Sequence, residues 1–200
     1  MDRHPTQQKI LEAAIEIIDD RGEAAVRIQD IQTMVDVTAP SIYHFFGNRE
    51  GLVIEAQTER LRRSFSESDP GIDAVLASLT SKDQLRQVVR RMLSIFFEPD
   101  RAIARQRRMS AMGSAVGRPE LAKEFDKALR EYAADRAERL EPFKEKGWIQ
   151  PDVDLFSFNY LVMGMIFGRT FLEIGGDVGP FPEWESMVER ATAHILFSDG

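Results

Sequence analysis

The stretch RIQDIQTMVDVTAPSIYHFFGNREGL, Arg27 to Leu52, sets the fold. Ile28, Ile31 and Val35 recur at helical spacing, so a short helix places them on one buried stripe. That helix stops near Asp36. Val37 is an apolar plug, Thr38 is a good N-cap, and Pro40 falls in the first turn of a second helix, where a missing N–H costs little. This second helix therefore begins at about Ala39, with Ile42, Phe45 and Phe46 toward the first helix and Ala39, Ser41, Tyr43 and His44 on or near its outer side. Two short helices joined by a tight turn make a helix-turn-helix, whose second helix can enter the DNA major groove.

The residue types suit that task. Ala39, Pro40 and Ser41 are compact, so the helix N-terminus can approach base edges closely, and Ser41 is the candidate for a base contact. Tyr43 and His44 carry polar tips that reach phosphate oxygens and position the helix without reading sequence. Phe45 and Phe46 read as core. Arg27 and Arg49 offer charge to phosphates, and Gln29, Thr38 and Asn48 complete the candidate DNA-facing set.

The run ILEAA (Ile10 to Ala14), then Gly22, Ile31 and VTAPSIYHFFGNREGL (Val37 to Leu52), resembles the DNA-binding region of the tetracycline-repressor (TetR) family. The aromatic run Tyr43-His44-Phe45-Phe46, followed by Arg49 and Leu52, carries most of the likeness. It implies an all-α chain of about nine or ten helices, with a three-helix DNA-binding head over residues 1–48 and a larger ligand-binding and dimerisation body over 49–200. It further implies a ligand-responsive repressor whose two heads, on a twofold dimer, read a near-palindromic operator in successive major grooves. The chain departs from the family at five places. Gln32 and Val35 stand where small residues are usual, Asp36 where glycine is, Arg27 where Ser or Thr caps the helix, and Arg49 where lysine is. Asp tolerates a left-handed backbone better than most residues, so the turn can survive.

Composition bounds the alternatives. Two hundred residues with 43% hydrophobic and 30% charged side chains describe an ordinary globular chain. There is no cysteine, which removes disulfides and thiolate metal sites and fits a reducing cytoplasm. The N-terminus lacks a signal-peptide layout, and the most apolar run, Phe156 to Ile174, is interrupted by Asn159, Arg169 and Glu173, too polar to span a bilayer comfortably. The net charge is −7, and residues 1–52 alone hold nine Asp or Glu against five Lys or Arg. Such a head contacts DNA only where Arg3, Lys9, Arg27 and Arg49 place positive charge, so the salt dependence of binding should be shallow.

Outside the head the pattern is helical. Residues 1–5 read as a loose arm. Thr6 can cap a helix to about Arg21, ended by Gly22. Asn48 can cap a longer one to about Phe65, and residues 66–71 mark a break. Further helices run over about Ile72 to Leu79, from a Ser81 cap to Phe96, across residues 100–112, and from Pro119 to about Lys146, with Gly113 and Gly117 as breakers and Pro142 near the end. Arg101, Arg105, Arg107 and Arg108 could hold an acidic ligand or DNA, though a solvated helix face is the preferred reading. The last two helices are Leu155 to Ile174 and Glu183 to Phe197. The first is apolar nearly all round and so needs two burial surfaces, the body's own core and a second copy of the same helix pair.

The three histidines have no metal-ligand spacing, and no phosphate loop or nucleophile elbow appears, so neither an enzyme nor a cofactor or metal is expected. The ligand candidates are Met92, Phe96, Met109, Met112, Phe125, Tyr132, Tyr160, Met163 and Phe167, each also readable as plain core. They point to an apolar or aromatic inducer. The rival reading is a dimeric helical binding or adaptor protein without operator binding.

Overall fold

The structure, a computed structural model, describes residues 3–66 and 71–197. Most of the break expected over residues 66–71 lies outside the described residues. Among those described there are ten α-helices, two short 3-10 turns and no strand. The all-α class and the helix count are as expected. The chain divides into two compact units, one of residues 1–63 with 111–126, the other of 64–110 with 127–200.

The first unit holds α1 (Pro5–Arg21), α2 (Ile28–Val35), α3 (Ala39–Phe46) and most of α4 (Arg49–Ser66). Its core gathers Ile10, Leu11, Ala14 and Ile18 of α1, Ile31 of α2, Ile42 and Phe46 of α3, and Leu52, Val53 and Ala56 of α4. These are the apolar positions that the helical spacing singles out. Local chemistry sets the ends. His4 rather than Thr6 caps α1, its Nδ1 accepting from the Thr6 N–H at 3.2 Å, because Pro5 starts the helix with its fixed φ and no donor to satisfy. Asp36 ends α2 in the left-handed region, at φ 52° and ψ 58°, the conformation that the turn needs and that glycine would adopt more cheaply. Thr38 is the N-cap residue of α3 by its extended backbone, but its hydroxyl makes no capping bond. Asn48 caps α4 by accepting from Gly51 N–H at 2.9 Å.

The second unit holds α5 (Ile72–Ala77), α6 (Lys82–Phe97), the larger part of α7 (Ala102–Ser114) and of α8 (Pro119–Glu145), α9 (Leu155–Glu173) and α10 (Pro182–Phe197). Ser81 caps α6 as expected. Gly113 does not break α7, which runs through it; Gly117, at φ 74°, makes the turn instead. One apolar cluster joins Leu85, Phe143, Ile149, Phe158 and Leu196, and another joins Leu93, Phe96, Phe97, Ile166 and Val188.

Within this unit lies a buried ion network that corrects the solvated-face reading of the arginine cluster. Arg105 and Arg108 are 1% and 3% exposed. Arg105 donates through Nε to Glu173 at 3.0 Å and through a second nitrogen to the other oxygen of the same carboxylate. Its third nitrogen donates to the Phe96 and Glu98 carbonyls at 2.6 and 3.1 Å, where α6 ends. Arg169 donates to Glu173 at 2.9 Å, to Glu185 at 2.8 Å and to the Val178 carbonyl at 2.9 Å. Burial works to raise the Glu173 pKa, but the two guanidinium groups outweigh it and hold the carboxyl below its ordinary value. The Glu173 carboxylate thereby ties α7 to α9, and Arg169 carries the network on to Glu185 at the start of α10.

By length and composition α9 could cross a bilayer. Its fully buried Arg169 and Glu173 pairs mark it instead as a core helix. Its other side leaves Leu161, Phe171 and Leu172 exposed, 43%, 72% and 39%, with open space beside Gly164. That stripe follows helical spacing and lies on the side of α9 away from Arg169 and Glu173.

Candidate nucleic-acid interface and ligand cleft

The ten DNA-contact candidates lie at the start of α2 or just before it, on α3, on the turns flanking α3, and, for Arg49, on the first residue of α4. α3 buries Ile42 and Phe46, with Phe45 half-buried against the same core. Away from that side, Thr38, Pro40, Tyr43 and His44 are exposed and Ala39 and Ser41 half-buried, and Arg27, Gln29 and Asn48 are exposed too. Tyr43, at 46% exposure, is a large ring that the core of the first unit does not take up. His44 meets Phe45 edge-on at 5.2 Å, and Phe45 stacks on His4 at 5.4 Å.

Other groups are committed inside the head. Arg49 is half-buried and donates from Nε to the Val26 carbonyl at 2.7 Å and from Nη2 to the Glu23 carbonyl at 3.0 Å. Its fork bonds the carbonyls of Glu23, which opens the 3-10 turn Glu23–Ala25, and of Val26, which closes it. Arg3, expected in a loose arm, pairs with Glu55 at 3.2 Å and Glu59 at 3.1 Å. Arg60 pairs with Asp19 at 2.6 Å, Arg63 with Glu12 and Glu59, and Arg118 with Glu23 and Glu50. The Arg63 hydrogen bond holds the Glu12 carboxyl below its usual value. Gly51 is one residue the sequence reading passed over. A Cβ there would stand 2.1 Å from the backbone oxygen of Phe46, so only glycine lets α4 start this close to the end of α3. Its place in the quoted aromatic-to-Leu52 run was the available signal.

The second unit has a cleft of about 100 Å³ lined by α5, α6, α8, α9 and α10. Of the nine ligand candidates Met92, Phe96 and Tyr132 line it; Met109, Met112, Phe125, Tyr160, Met163 and Phe167 do not. Met112 and Phe125 belong to the first unit. On α9 the cleft face is Phe158, Asn159 and Val162, and Tyr160 and Phe167 stand about half a turn round the helix from Phe158. Arg136, Arg139, Asn159 and Thr192 are lining residues that a search for aromatic and methionine side chains could not find. The shared face of Tyr132, Arg136, Arg139 and Leu140 on α8 was the signal.

α2 and α3 thus form a helix-turn-helix with α3 exposed, in an otherwise helical chain. Residues 10–56 match the family model described as bacterial regulatory proteins, tetR family. The fold is that of solved TetR-family structures over nearly the whole chain. A TetR-family transcriptional regulator from Cytophaga hutchinsonii is 14% identical, covers 100% of both chains and has a TM-score of 0.69. One from Chloroflexus aurantiacus is 18% identical over 96% of each chain, with a TM-score of 0.64. A candidate transcriptional regulator from Saccharomonospora viridis, in complex with choline, is 17% identical over 96% of this chain and 97% of its own, with a TM-score of 0.63. No curated protein matches the sequence. The protein carries a tetR-family helix-turn-helix head and the TetR-family fold.

Proposed function

We propose that the protein is a ligand-responsive transcriptional repressor that binds a near-palindromic operator as a homodimer. The exposed α3 carries the reading: Ala39, Pro40 and Ser41 leave its N-terminus uncluttered, and Tyr43 and His44 stand in solvent where a packed helix would bury them. The apolar stripe of α9, with Leu161, Gly164 and Phe171 open, supports dimerisation through the last two helices.

The cleft supports ligand response. It is small against the roughly 300–1,000 Å³ of ordinary small-molecule sites. A ligand that enters must therefore open it and so prefers one arrangement of α6, α8 and α9 over another, which is the differential affinity a switch requires. α8 contributes residues both to this cleft and, through Leu121 and Phe125, to the first unit. The choline in the Saccharomonospora structure supports small-molecule binding by this fold.

Selection of binding sites from random duplex DNA, with the mass of the protein recorded in solution, tests the reading. An inverted repeat recovered by a dimer is the expected result. The heavy internal pairing of the head's arginines favours the rival, an adaptor that does not bind operators, and a folded dimer that enriches no sequence would establish it.

A further inference from the structure

The fifteen residues lining the cleft include two arginines and no Asp or Glu, in a chain whose net charge is −7. The remainder are apolar but for Tyr132, Asn159 and Thr192. A neutral apolar ligand would strip water from those guanidinium groups without replacing it, and a cation would add repulsion. An acid both replaces the water and matches the charge. Arg136 and Arg139 stand three residues apart on α8, so their side chains are neighbours on one face, with Tyr132 a turn before Arg136 and Leu140 a turn after it. Arg139 now pairs with Asp73 at 2.7 Å and Asp135 at 3.0 Å, two carboxylates that are 73% and 52% exposed. Exposed pairs of that kind are weak, so they exchange readily for a carboxylate delivered with apolar contacts. The guanidinium fork fits such a group through two parallel hydrogen bonds.

We propose that the cleft takes an anionic amphiphile, its acid group held by Arg136 and Arg139 and its short apolar chain or ring lodged among Val88, Met92, Phe96 and Phe158. The proposal rests on the ligand-responsive reading and replaces the purely apolar inducer with a chemical class. A chain of ring contacts leads away from the cleft. The Arg136 guanidinium lies 4.9 Å from the Tyr132 ring, Tyr132 stacks on Phe65 at 4.5 Å, and Arg108 lies 4.4 Å from the Phe65 ring. An acid that draws Arg136 toward it disturbs a column that ends on the last turn of α4.

Calorimetry of the full chain with hexanoate, 1-hexanol and hexyltrimethylammonium, three probes with one tail and different heads, tests the class. Hexanoate is expected to bind about tenfold or more tighter than either other probe, and Arg136→Gln or Arg139→Gln should each remove about tenfold or more of that affinity while leaving 1-hexanol unchanged. Arg139→Gln, at the exposed end, keeps the test valid if Arg136→Gln melts early. Equal or tighter binding of the alcohol or the ammonium, indifference of hexanoate to both substitutions, or no binding by any probe would overturn the class. Hexanoate bound through the arginines yet without effect on an operator complex would overturn ligand response and leave the class standing.

Discussion

At the scale of single residues, the head separates groups that hold it together from groups it leaves outside. Arg49 illustrates the first kind, because two of its donors already satisfy the Val26 and Glu23 carbonyls. Arg49→Ala should cost about 1–3 kcal/mol through those carbonyls, lowering the melting temperature by about 2–4 °C per kcal/mol. Tyr43 illustrates the second. Tyr43→Ala should weaken operator binding across sequences alike and leave the melting curve nearly unmoved, since the ring is exposed and is proposed to meet phosphate, not core. Measured together, an Arg49 variant that melts with the wild type, or a Tyr43 variant that melts early, would reverse these roles. From the sequence both looked like phosphate contacts. A side chain's polarity is visible there; that carbonyls more than twenty residues earlier in the chain have claimed it is not.

At the scale of elements, boundaries were legible wherever a single residue dictates backbone. Gly22, Asp36, Pro40, Asn48 and Ser81 each marked a helix end through a cap, a left-handed φ or a missing donor. Faces were legible only where one side of a helix is apolar. α9 is apolar nearly all round, so Tyr160, Met163 and Phe167 were named from it although the cleft is lined by its Phe158, Asn159 and Val162, and the basic run of α7 concealed that its partner Glu173 lies 68 residues away from Arg105. That network makes a firm prediction. Glu173→Gln leaves Arg105 and Arg169 buried without their shared charge and should cost about 3–5 kcal/mol, seen as a lower denaturation midpoint. The same carboxyl is depressed in the folded state, so its contribution is complete above the ordinary value near 4.5 and is lost as pH falls through the lower folded-state value. The wild type should therefore lose stability faster than Glu173→Gln on acidification below that point. Parallel acid profiles of the two proteins would refute the assignment.

At the scale of the whole molecule, the exposed stripe on α9 asks for a partner. Phe171→Glu places a charge where a ring is now 72% exposed, so it should leave the helical signal intact while converting a dimer to monomers in a sizing experiment. A dimer that survives it would move the interface elsewhere. The likeness to the TetR family and the all-α class were legible from the quoted run in the first quarter of the chain, whereas the compact units, 1–63 with 111–126 and 64–110 with 127–200, do not follow the division at residue 48. The cleft was not legible, because many apolar combinations enclose the same space. The pairing of Arg3, Arg60, Arg63 and Arg118 with the head's own carboxylates has a consequence for how the protein finds its target. Sliding along a chromosome depends on a loose, sequence-blind grip on phosphates. On the proposed operator-binding reading, a head with so few cations to offer should release random DNA quickly, so that its search would proceed by repeated short visits from solution.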